Sequence, residues 1–181
     1  MQQTNRKDGT MLNIYLTNLG KYNEGELVGE WVELPVSDEE LEEVKKRIGI
    51  NEQYEEMFIT DYETDIIGVE VSEYSSVSSL NEIAEIFDRL DTSDALAFQA
   101  FLVEGVAYED AIEMVENGDF MIYSDCQSMT DVAYEVVKEN GFLDQVPEQF
   151  TRYFDYESYG RDLGFEGCFH FFDNDCVELL R

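Results

Sequence analysis

Ser79-Leu-Asn-Glu-Ile-Ala-Glu-Ile-Phe-Asp-Arg-Leu90 is the stretch from which the rest of the chain can be read. Leu80, Ile83, Ala84, Phe87 and Leu90 recur at i, i+3, i+4, i+7 and i+10, which draws one apolar stripe along an α-helix. Ser79 followed by Glu82 has the form of a capping box at its start. Glu82 and Glu85 fall off the stripe, and Arg89 stands where an i,i+4 pair with Glu85 can form. The spacing predicts a helix with an apolar seam and an acidic back.

On the C-terminal side, Thr92 or Ser93 is the expected cap of a helix through Ala95 to Val103, apolar nearly all round and therefore buried. A third helix, Ala107 to Asn117, turns Ala107, Ala111, Ile112 and Val115 inward and Glu109, Asp110, Glu113 and Glu116 outward, and Asn117-Gly118 stops it. Together these predict a small helical bundle with an acid-coated exterior. On the N-terminal side, 13–17 and 27–34 read as strands joined by the turn-rich segment Asn18 to Gly25, with Pro35 ending the second. Ser37-Asp-Glu-Glu40 is a capping box for a helix carrying Leu41, Val44 and Ile48, which Gly49 closes. Residues 55–62 form the next strand, with Met57 and Ile59 on one face. Beyond the bundle, 120–123 reads as a strand and Ser128-Met-Thr-Asp131 caps a helix with Val132, Ala133, Val136 and Val137 inward, ended by Gly141. Pro147 opens a helix carrying Phe150, Tyr153 and Phe154. Cys168 to Phe172 and Cys176 to Leu180 read as a hairpin across Asp173-Asn-Asp.

The expected fold is α+β: an elongated chain of three small domains. An N-terminal antiparallel sheet with a helix spans 11–71, a central acidic helical bundle 72–117, and a C-terminal sheet with helices 118–181. Residues 1–10 read as a polar tail.

The charge is lopsided. The chain has 181 residues with 42 Asp and Glu against 11 Lys and Arg, a net charge of −31. Between Ile48 and Val137, 22 acids meet the single cation Arg89, a net of 22 − 1 = 21 negative charges. Folded surfaces normally mix both signs, because a single-sign field pushes the compact state apart. A disordered acidic tail would be poor in aromatics, yet 13% of this chain is aromatic and 44% hydrophobic. Such an anion is repelled by nucleic acid and by acidic membranes, and no run approaches the ~20 apolar residues of a membrane span. Three cysteines at unremarkable spacings suggest reduced thiols in a cytoplasm. The expected partner is a basic, soluble protein.

Motifs for chemistry are missing. There is no Gly-rich phosphate loop, no Gly-x-Ser-x-Gly, no Cys-x-x-Cys and no His-x-x-x-His, so no cofactor and no catalytic group is assigned. A cysteine–histidine dyad through His170, or a zinc site from Cys126, Cys168, His170 and Cys176, has suitable residue types. The strand alternation of Cys168-x-His170 favours packing instead. Pairs of acids arise by chance among so many, which leaves a hydrolase reading without a pointer.

Duplex DNA carries one charge per ~1.7 Å of axis, so the net charge matches roughly 50 Å of duplex. Outward acids at i, i+3 and i+4 sit ~5–6 Å apart, close to the scale of neighbouring phosphates. The acids expected to imitate phosphates are Glu52, Glu55, Glu56, Asp61, Glu63, Glu70, Glu73, Glu82, Glu85, Asp88, Asp91, Glu109, Asp110, Glu113 and Glu116.

Tyr15 with Leu19-Gly-Lys-Tyr-Asn-Glu-Gly-Glu-Leu-Val-Gly29 and Trp31, Asp61-Tyr-Glu63, Ser124-Asp-Cys126 and Tyr156-Glu-Ser-Tyr-Gly-Arg-Asp-Leu163 resemble the ArdA antirestriction family. The likeness runs from about Met11 to the C-terminus, and the polar leader departs from it. The resemblance implies three small domains, a homodimer formed through the C-terminal one, and a DNA mimic. Such a mimic occupies the DNA-binding groove of type I restriction–modification enzymes and is carried by plasmids and conjugative transposons. The family's antirestriction motif is similar to 131–146, which would put Val132, Val136, Val137, Phe142 and Leu143 at the dimer contact. The alternative is an acidic interaction module that sequesters another basic DNA-binding protein.

Overall fold

The computed structural model describes residues 12–180. The polar tail, 1–10, lies outside the described residues. Contacts divide the chain into two compact units, Met1–Leu90 and Asp91–Arg181. Each contains one three-stranded antiparallel sheet with helices, an α+β architecture.

In the first unit, β1 (Leu12–Asn18) runs between β2 (Gly29–Leu34) and β3 (Met57–Thr64). Alternation along β1 turns Leu12, Ile14 and Leu16 into the core. Their cross-strand partners are Leu34 and Val32 on β2, and Ile59 on β3 beside a bulge at Tyr15/Leu16. The segment expected as a turn folds instead into a short helix, α1 (Leu19–Asn23). Asn18 brings this about: its Oδ1 accepts the Lys21 N–H, while its buried Nδ2 donates to the Ile48 carbonyl at 3.1 Å. Helix α2 (Asp38–Arg47) is capped by Ser37 as its capping box predicts, with Val44 and Ile48 buried and Gly49 closing it at φ +81°.

Helix α3 (Val77–Arg89) starts earlier than the sequence suggests, because Ser76 and not Ser79 caps it, accepting from the Ser79 N–H. Its seam is buried through Leu80, Ile83, Ala84 and Ile86, with Phe87 and Leu90 half-buried. Burying each large aliphatic contributes ~1.5–3 kcal/mol, against ~1 kcal/mol for a cap, so packing holds this helix. The helix seats on β2, and just past that strand Asn81 Oδ1 accepts the Val36 N–H at 2.6 Å. Glu85 accepts from Asn81 Nδ2 at 3.0 Å, and no ion pair joins it to Arg89 among the described residues.

The second unit begins with α4 (Thr92–Val103), capped by Asp91, which accepts the Asp94 N–H, and not by Thr92 or Ser93. Its all-round apolar surface is explained by two neighbours, α5 (Tyr108–Asn117) on one side and the sheet strand β6 (Asp175–Leu179) on another. Helix α5 ends in left-handed Gly118 as expected, while Ala107 is its exposed cap position and not part of the inward face. Strand β6 lies between β4 (Phe120–Tyr123) and β5 (Cys168–Phe172). Helix α6 (Met129–Glu139) buries Val132, Ala133 and Val137, with the Ser128 cap in place. After the short α7 (Glu148–Thr151), α8 (Tyr156–Glu166) packs along α6.

The boundary between the two units, Leu90/Asp91, lies within the stretch 72–117. The apolar face of α3 is satisfied by the first sheet, and that of α4 by the second sheet and α5.

Candidate functional site

All fifteen acids read from the sequence are exposed. The first unit holds Glu52, Glu55 and Glu56 in the loop before β3, Asp61 and Glu63 on β3, and Glu70 and Glu73 after it. Glu82, Glu85 and Asp88 follow on α3. The second unit holds Asp91, then Glu109, Asp110, Glu113 and Glu116 on α5. Their positions follow from the periods that bury their neighbours. On α5 Ala111 and Val115 go inward, so 109, 113 and 116 share the opposite side at helical spacing. On β3 Asp61 and Glu63 are two residues apart and share a face. Asp65, just beyond β3, is exposed as well, but it sits in a loop whose sequence has no period to mark it.

Five of the described cations are engaged elsewhere. Lys21 pairs with Glu24 and Glu26, Lys45 with Glu42, Lys46 with Glu43, and Lys138 with Glu135. Arg47 grips Glu30 with both Nε and Nη2 at 2.9 Å and reaches Glu40 at 2.8 Å. The hydrogen bonds it donates to Glu30 first, then to Glu40, raise the pKa of its guanidinium, and that of the Glu30 carboxyl is lowered in return. Every acid in these pairs lies outside the fifteen. Glu82 aside, none of the fifteen joins an ion pair among the described residues. Paired charge is thus concentrated on α1, α2, β2 and α6, and the acid-bearing loops, β3, α3 and α5 keep a strongly negative field against the single cation Arg89 on α3.

Asp91 has a second task, because its carboxylate caps α4. Asp94, half-buried one turn on, has its pKa raised by desolvation first and by the Asp91 charge second.

The segments that resemble the antirestriction family are largely scaffolding. Tyr15 and Trp31 oppose one another across β1 and β2, with ring centroids 5.4 Å apart, edge to face. A Cβ on Gly29 would stand 2.6 Å from both the Leu16 carbonyl oxygen and the Tyr15 ring, so glycine is required there. Lys21 lies over the Tyr54 ring at 4.8 Å, and Glu24 accepts from the Tyr54 hydroxyl at 3.0 Å, which locks α1 to the loop before β3. Cys126 and Cys176 are core residues beside Tyr123 and Val132. Burial pushes the Cys176 thiol up to about 12 and raises that of Cys126, as expected of inert packing thiols.

These segments lie within one continuous match: the family model described as antirestriction protein (ArdA) covers residues 14–178. The chain belongs to the ArdA antirestriction family. No curated protein matches it. Antirestriction, the defeat of a host's restriction barrier, is the function that ArdA membership carries. The residues likened to the ArdA dimer contact divide by burial. Val132 and Val137 are inside the chain's own core and Val136 is half-buried, whereas Leu143 is half-buried and Phe142 is 56% exposed. Among the described residues no helix is long and apolar enough to cross a membrane.

Proposed function

We propose that this chain is a DNA mimic that inhibits type I restriction–modification enzymes by occupying their DNA-binding groove without chemistry. The observation that carries this reading is the segregation of charge. Acids at helical and strand intervals stand exposed, while Lys21, Lys45, Lys46, Arg47 and Lys138 neutralise a different set. A groove lined with Lys and Arg for phosphates would find in these carboxylates the counter-charge that DNA supplies, and DNA would be kept out. We also propose that the active form is a homodimer meeting near Phe142 and Leu143, which would double the length of the charge track. Cytoplasmic residence follows from the partner.

Phosphate-like contacts hold no base information. Two type I enzymes with unrelated target sequences should therefore be inhibited with half-maximal concentrations within about threefold of each other. Both values should rise steeply as salt is added. Restriction assays on plasmids bearing either target measure this, and inhibition that follows one target sequence would count against mimicry of the backbone.

A further inference from the structure

We propose that Glu104, Cys168 and His170 form a zinc-binding site in the second unit. Glu104 is the residue on which α4 ends. Cys168 and His170 are two residues apart on β5, an edge strand of its sheet, and so share one face of it. His170 Nε2 stands 3.3 Å from Glu104 Oε1 and 3.5 Å from Cys168 Sγ. One ligand atom from each of the three lies within 4.8 Å of the others. Among the described residues no other group of three His, Cys, Asp or Glu does so.

The two edges that meet at His170 match a zinc polyhedron. With Zn–S of ~2.3 Å and Zn–N and Zn–O of ~2.0–2.2 Å, a tetrahedral arrangement sets the S–N edge at about 3.5 Å and the N–O edge at about 3.3 Å. The donors match as well. Thiolate and imidazole select zinc over magnesium or calcium, which prefer all-oxygen sites. The Cys168 thiol loses its proton to solvent on binding, His170 binds as the neutral imidazole and Glu104 as the carboxylate, so a divalent ion leaves the site neutral. The His170 and Glu104 side chains are 16% and 29% exposed, enough for water to complete the fourth position. Bound there, zinc ties the end of α4 to the sheet edge. Nothing in this depends on the inhibition mechanism. The competing reading is an imidazolium–carboxylate pair beside a packing thiol.

The two readings separate on the full-length protein after chelator treatment, titrated with Co²⁺ as a spectroscopic probe. Zinc binding predicts one Co²⁺ per chain with a thiolate charge-transfer band and tetrahedral visible bands, all displaced by one equivalent of Zn²⁺ and retained in a large excess of Mg²⁺. Cys168→Ser should abolish the charge-transfer band, and His170→Gln should weaken Co²⁺ binding roughly tenfold or more. Circular dichroism checks that the variants keep the fold, and the parent spectrum stands without them. Absence of the thiolate band in the parent protein, its survival in Cys168→Ser, or loss of the signal to Mg²⁺ overturns the site.

Discussion

Gly160→Ala is expected to destabilise the second unit by about 2 kcal/mol, although alanine is the better helix former by ~1 kcal/mol. Gly160 is the buried residue of α8, in the Tyr159-Gly-Arg-Asp-Leu163 segment. A Cβ there would run into the Met129 carbonyl oxygen, stand 2.6 Å from its carbon and 3.1 Å from the Thr130 nitrogen. All three are backbone atoms at the start of α6, so nothing can rotate aside and the helices must separate. Overpacking of this kind costs ~1–3 kcal/mol, more than the propensity gain returns. Gly164, one turn later, supplies the control, because a Cβ there would meet only the flexible Met129 side chain, at 3.4 Å. Gly164→Ala should therefore be neutral or stabilising by up to ~1 kcal/mol. Urea melts of the two variants read the contrast; a Gly160→Ala protein as stable as its parent would mean that the helices do not meet this closely.

The same glycines explain why α8 is not legible in the sequence. Two glycines in eleven residues lower the helical signal, and the reason for them lies on another helix. Elements with an unbroken apolar period are legible: α2, α5 and α6, both hairpin strands and β1 fall within a residue or so of where their periods put them. The cap of α3 is not legible because Ser75-Ser-Val-Ser-Ser79 offers several candidates and only the packed helix chooses among them. Domain grouping is a tertiary matter, since an apolar seam does not say which sheet will cover it. Acid exposure was fully legible for the fifteen sites. The separation of the cations from them was not, because Arg47 reaches Glu30 across 17 residues. Glu104 carried no signal at all until α4 brought its end beside β5.

Neutralising the acids should act through their number. Glu109→Gln alone should change inhibition by less than about threefold, since an exposed pair contributes ~0–1 kcal/mol. Glu109, Glu113 and Glu116 replaced together by Gln should weaken it by about tenfold, and replacing all fifteen except Asp91 should abolish it. Asp91 is kept because it caps α4, whose loss would confuse unfolding with lost charge. The heavily neutralised protein should also melt at a higher temperature in low salt, because like charges no longer repel within each unit. Inhibition curves and melts at two ionic strengths supply the readout. Abolition of activity by any one of the single changes would place function in a local site, and indifference to the full set would remove charge as the device.

The most direct measurement is the fate of a labelled duplex bound to a type I modification enzyme as this protein is added. Displacement is predicted: anisotropy falls to that of free DNA, the concentration needed rises in proportion to the duplex present, and no complex holds all three. A ternary complex in which enzyme, duplex and this chain migrate together would contradict the account.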